Sequence, residues 1–178
     1  MSGKQPTRLP IVSEHARSQL ARLHGAIDAM VAPLAALHGK RLKCARGCHA
    51  CCVDDLTVFE LEAAQIAQHH AELLETGVPH PKGACAFLDA EGACRIYAHR
   101  PYVCRTQGLP LRWIEERAEE LVELRDCCEL NLDDAGVPLT ELPAEACFTL
   151  GPVEERLHEQ AEHAQAGARV ALRSLFKR

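Results

Sequence analysis

Apolar residues recur near the start of the chain at helical spacing. Ala16, Leu20, Leu23, Ile27, Met30, Leu34 and Leu37 follow one another by alternating steps of four and three. That spacing lays them along one stripe of a helix. It predicts a helix from Ser13 to about His38, capped by Ser13 and ended by Gly39. Pro33 is expected to kink or split it. The first reading of the stripe is packing within the chain's own domain; the alternative is a homodimer through the terminal helices. Thr57-Val58-Phe59-Glu60 reads as a capping box with Thr57 at N-cap and Glu60 at N3. It predicts a second helix running to about Thr76. The inner face of that helix is Phe59, Ala63, Ile66 and Leu73 or Leu74.

Short apolar runs flank a polar connector at Cys85-Ala86-Phe87-Leu88 and Cys94-Arg95-Ile96-Tyr97, which predicts a β-hairpin. Arg100-Pro101 opens a short turn or helix carrying Cys104, because proline suits a first helical position. Leu111 to about Arg125 reads as a charged amphipathic helix, and 131–143 as loop. A short helical turn is expected around Pro143–Thr149. The last helix runs from Gly151-Pro152 to about Phe176, with Val153, Leu157, Ala161, Ala164, Ala168, Ala171 or Leu172, and Leu175 as its seam. The fold class is therefore α+β and mostly helical: a small cysteine-rich metal-binding domain with one short β-hairpin, flanked by long N- and C-terminal helices. Residues 1–12 are expected to form a flexible arm. Residues 13–178 are read as one domain with a cysteine-cluster core at 44–131 and terminal helices at about 13–38 and 152–176.

Composition sharpens this picture. Of 178 residues 4% are aromatic, whereas ten are cysteine. Large aromatic anchors are scarce, so the core must be held in part by something else. Formal charge is −5, which argues against nucleic-acid binding through a basic face. No signal peptide or membrane span is read from the sequence, so the expected location is cytoplasmic, where thiols stay reduced. Ten reduced thiols point to metal.

Their spacing supports that reading. Cys44, Cys48, Cys51 and Cys52 fall within nine residues. Cys48 and Cys51 have the two-residue spacing of a metal knuckle, and Gly47 beside them can take positive φ. The adjacent Cys51 and Cys52 are expected to serve different ions, or different irons of one cluster. Cys85 and Cys94 are expected to face each other across the hairpin, with Cys104 soon after. Cys127-Cys128 and Cys147 complete the set. A closed structural zinc site takes four ligands. Eight thiolates would thus suit two zinc ions, while four would suit an iron–sulfur cluster.

Basic residues crowd these segments: Lys40, Arg41, Lys43 and Arg46, then Arg95, Arg100 and Arg105. Arg100 and Arg105 are expected to donate to sulfur. His49 and His99 are alternatives to cysteine as ligands, although an ordinary polar role is the first reading for each. His69-His70 are expected on a helix surface, and Trp113 as a core anchor. No G-x-G-x-x-G loop is present, so no nucleotide cofactor is expected.

The chain resembles the YkgJ-type cysteine cluster family, the zinc- or iron-chelating CxxCxxCC domain. The resemblance is carried by Cys44 with Cys48-His49-Ala50-Cys51-Cys52, by Cys85-Ala86-Phe87-Leu88, by the run Cys94 to Arg105, and by Cys128-Glu129-Leu130-Asn131. It spans about residues 44–131. It implies eight metal-binding cysteines: Cys44, Cys48, Cys51, Cys52, Cys85, Cys94, Cys104 and Cys128, with Cys127 and Cys147 extra. It also implies zinc or iron as the bound metal, with an iron–sulfur cluster among the options. Members have been labelled iron–sulfur oxidoreductases, and a related domain occurs in flagellin lysine methylases. The expected function is metal binding in a structural or metal-handling role. The alternative is an iron–sulfur protein with oxidoreductase or methylation-related activity. Metal ions are the expected partners, and no catalytic residue is assigned.

Overall fold

The structure, a computed structural model, describes residues 8–132 and 136–177. In chain order its elements are α1 (Glu14–Leu37), β1 (Thr57–Phe59), α2 (Glu60–His69), α3 (Ala71–Thr76), α4 (Tyr102–Thr106), β2 (Leu111–Arg117), β3 (Glu120–Asp126), β4 (Phe148–Thr149), α5 (Gly151–His163) and β5 (Arg169–Ala171). The class is α+β with a long N-terminal helix, as expected.

α1 begins where its cap predicts. The Ser13 hydroxyl accepts from the Ala16 amide at 3.2 Å, which satisfies one of the first-turn donors. The helix continues through Pro33 to Leu37. Ala16, Leu20, Leu23 and Ile27 of its stripe are buried, Leu34 packs against that core, and Met30 and Leu37 are exposed. By length and composition α1 could cross a membrane, yet this stripe packs inside the protein. It meets Phe59, Leu61, Tyr102, Phe148, Val153, Leu157 and Ala161 in one core cluster, so α1 and α5 lie together.

A second cluster gathers Val58, Ile66, Leu74, Phe87, Leu88, Ile96, Leu172 and Phe176. Leu9 packs against it and Val12 is buried in the first cluster. Residues 1–7 of the expected arm lie outside the described residues. So do 133–135 of the expected loop.

Between α1 and α2 lies a buried hydrogen bond. Glu62 Oε1 accepts from His24 Nε2 at 3.1 Å and from the Tyr102 amide at 2.7 Å. One carboxylate therefore ties α1 to α2 and caps the N-terminus of α4, the helix that carries Cys104.

Four local expectations change. Leu111–Arg125 is not a helix but two strands: β2 pairs antiparallel with β3 from Leu111↔Asp126 to Arg117↔Glu120. The turn residues Ala118 and Glu119 both have positive φ, 49° and 72°. Two such residues make the tight connection that matches strand twist. β4 adds to β2 in parallel, giving a sheet of order β3-β2-β4. Trp113 consequently sits half-buried on this hairpin, its indole N–H donating to Glu115 at 2.9 Å.

Thr57 does not cap a helix. Thr57–Phe59 forms β1 and pairs antiparallel with β5, so α2 starts at Glu60. The C-terminal helix stops at His163 rather than near Phe176. Gln165 takes φ 52°, while the amides of Gln165 and Ala166 bond back to Glu162 and Ala161 at 2.9 Å each. This closes the helix as a Schellman motif and frees the following residues to form β5. Finally, the predicted hairpin at Cys85–Tyr97 is reduced to a single antiparallel bridge, Leu88↔Cys94. Its connector is held by Asp89, whose carboxylate accepts from the Glu91 and Ala93 amides at 3.0 and 2.7 Å.

Candidate metal centre

The cysteine segments come together around one cavity of about 610 Å³. Its wall includes Cys44, Cys48, Cys51, Cys52, Cys85, Cys94 and Cys104. Cys128 stands close enough to Cys51 to help lower its pKa. Seven of the eight cysteines named by the resemblance thus line one space, and Cys128 lies beside Cys51 without lining it. Cys127 turns away: its thiol is buried and donates to the Gly108 carbonyl at 3.5 Å. Cys147 is buried with Leu142 and Ala146 in a separate small cluster. All ten cysteines are free.

Local backbone features present these thiols. Gly47 has φ 86°, as its place beside the knuckle predicts. The Cys48 and Cys52 amides donate to the Ala45 and His49 carbonyls at 2.9 and 2.8 Å, so the segment folds as successive turns. The Cys85 amide donates to the Cys52 carbonyl at 2.8 Å and locks the second segment to the first. Pro101 precedes α4, which carries Cys104. Cys94 pairs with Leu88 rather than Cys85, so these two thiols reach the cavity without forming a strand pair.

Electrostatics separates the thiols. A hydrogen bond from Cys52 holds Cys51 down to about 6, helped by Cys128 and by the nearby His49. That same bond pushes Cys52 upward. Burial raises Cys85, Cys94, Cys104 and Cys128. Bound cations reverse this order of effects, since a coordinated thiol is deprotonated outright.

The donor set fits zinc or iron. Sulfur is the soft ligand that selects zinc and iron–sulfur centres over magnesium or calcium. The cavity's carboxylate, Asp89, is already engaged by backbone amides. Among the described residues no group of three or more His, Cys, Asp or Glu side chains is already arranged to hold an ion. The thiols ring the cavity without converging on a point. Coordination therefore requires them to turn inward, a step that each cysteine makes about a single χ angle.

The basic residues divide. Arg100 lines the cavity, its guanidinium 4.1 Å from the centre of the Tyr97 ring. Arg46 lines it as well. Arg105 does not donate to sulfur; it is buried and bonds Asp28 of α1 at 2.6 Å. Arg95 clamps the carbonyls of Phe87, Ala86 and Val78. Arg41, 1% exposed, holds the carbonyls of Asn131 and Leu132 at 3.2 Å. His49 is exposed, and His99 meets His70 rather than a thiol.

Two residues not singled out from sequence support the site. Asn131 is fully buried; its amide donates to the Gly108 carbonyl at 2.8 Å and to Cys44 Sγ at 3.6 Å. Its Oδ1 accepts from the Lys43 amide at 2.8 Å, which fixes the approach to Cys44. Gly108 has φ 92°, and a Cβ there would lie 2.5 Å from Cys44 Sγ. Only glycine lets the sulfur sit so close. The order of residues offers no signal for either, because both contacts form across distant segments.

Fold and site together define a small α+β protein with a cysteine-lined cavity. Residues 43–129 match the family model CxxCxxCC, described as a putative zinc- or iron-chelating domain. No curated protein and no solved structure matches the chain significantly.

Proposed function

We propose that this is a cytoplasmic metal-binding protein. Its ligands are Cys44, Cys48, Cys51, Cys52, Cys85, Cys94, Cys104 and Cys128, holding zinc or iron in a structural or metal-handling role. The observation that carries this reading is the cavity lined by seven of these thiols, with Cys128 beside Cys51. Bound metal would supply folding free energy to a region with little regular structure. Asn131 holds Cys44, and Glu62 holds the start of α4 below Cys104.

A second reading has its own support. The cavity, about 610 Å³ and walled also by Leu56, Phe87, Leu88, Ile96 and Leu172, has the size and apolar lining of a small-molecule site. That favours an iron–sulfur centre with room for a reactant, and hence oxidoreductase or protein-methylation-related activity.

Metal content and the visible spectrum of protein purified without oxygen separate the two. Colourless protein with about two zinc ions per chain supports the first reading. Brown protein with iron and labile sulfide supports the second. Neither metal at stoichiometric level contradicts both. Cys51→Ser and Cys52→Ser are each expected to lose metal, whereas Cys127→Ser and Cys147→Ser keep it. Loss of metal from Cys147→Ser alone would overturn the ligand set.

A further inference from the structure

Outside the thiol cavity, the fold brings three imidazoles together. His69 and His70 close α2, and His99 lies on the turn before Arg100-Pro101. His70 Nε2 and His99 Nδ1 are 3.0 Å apart. The His69 ring lies flat on the His99 ring, with centres 3.9 Å apart and planes within 5°. His69 is exposed, and His70 and His99 are half-buried, so the group is open to solvent.

We propose that His70 and His99, with His69 as a third ligand, form a second transition-metal site of the zinc, nickel and copper class. This site consists of imidazole alone and does not rest on the cysteine reading. Two nitrogens bound to one tetrahedral zinc, each at about 2.0–2.1 Å, stand roughly 3.3 Å apart. The observed separation needs to open by only a few tenths of an ångström for an ion to replace the shared proton. Imidazole binds metal in its neutral form. Burial, followed by the neighbouring histidines, holds His70 below the ordinary histidine range; burial, His69 and Arg105 do the same for His99. The charge of Arg105 is met by Asp28 at 2.6 Å, which lessens its opposition to a bound cation. His69 is stacked rather than pointing at the other two, in keeping with the absence of a ready three-ligand group among the described residues. Turning its exposed ring brings it to the ion, and water fills the remaining position. Such a site is exchangeable. It lies beside the cavity mouth, since Tyr97 and Arg100 flank His99 in sequence and line that cavity.

The test is a zinc titration of the full chain with its cysteine-bound metal already in place, read by NMR of the imidazole nitrogens, with thiol alkylation reporting the cysteines in the same sample. The expected result is one zinc equivalent that shifts the His70 and His99 ring signals, leaves His158 and His163 unmoved, and leaves thiol reactivity unchanged. The H70A/H99A variant loses that equivalent, and H163A, altered at an exposed distant histidine, keeps it. Unmoved ring signals, equal shifts at all histidines, or retention of the equivalent by H70A/H99A would overturn the proposal. If H70A/H99A does not fold, the wild-type ring signals decide alone. Thiol protection without ring shifts would leave the cysteine reading standing and remove only this one.

Discussion

On the α1–α5 side, backbone groups bond within helices, and Leu20, Ile27, Leu157 and Ala161 are at most 2% exposed. On the thiol side, residues 38–56 contain no helix or strand, and the Cys48 and Cys52 amides form turns with the Ala45 and His49 carbonyls. Regular hydrogen bonding and apolar burial order the first region. The second has a few turns, the clamps from Arg41, Arg95 and Asn131, and thiols that ring a space without closing it. On the proposed reading, folding a chain with few aromatic residues would divide between two sources: packing in the helical half and sulfur–metal bonds in the other.

The largest expected effect comes from removing metal. Chelation should strip hydrogen-exchange protection from 44–56 and 85–104 while the α1 amides stay protected, because the two regions differ in local stability. Simultaneous loss of α1 protection would break the division. Next in size is Ile27→Ala. It deletes a fully buried side chain of the helical core and should cost about 2–5 kcal/mol in denaturant unfolding. Metal content per folded chain should not change; a parallel fall would show that the two regions are one unit.

The smallest effect belongs to the outer strand of the β2–β3 hairpin, where Glu123 is solvent-facing. Bonds from Arg112 and Arg125 hold the Glu123 carboxyl below the ordinary glutamate range. A group with a depressed folded value stabilises above its unfolded value near pH 4.3, and that stability is lost as pH falls through the folded value. Glu123→Gln should therefore lower the melting temperature slightly at pH 7 and not at all at strongly acidic pH. An equal drop at both would assign its role to packing rather than charge.

The two regions also differ in how much of them sequence reveals. α1 was legible because its signals are local: the Ser13 cap and the four-three spacing both act within one helix. The cysteine segments were legible as chemistry, since short spacing and order identify thiol clusters without any fold. The β2–β3 hairpin was not legible, because its positive-φ turn is Ala118-Glu119 rather than a glycine or asparagine pair. Its charges also suit a helix face equally well. β1 and β5 lie more than a hundred residues apart, and only their pairing turns Thr57 from a cap into a strand residue. Gly167, just beyond Gln165, was the available signal that α5 ends early. Cys128 rather than Cys127 was a choice that spacing alone left open. In the structure the Cys127 thiol donates to the Gly108 carbonyl, a contact between distant segments that spacing does not reveal.

X-ray absorption at the metal edge of protein purified without oxygen tests the central claim most directly. The account predicts a first shell dominated by sulfur, at about 2.3 Å if the metal is zinc. A first shell of nitrogen and oxygen, with the cysteines still free to react, would contradict it.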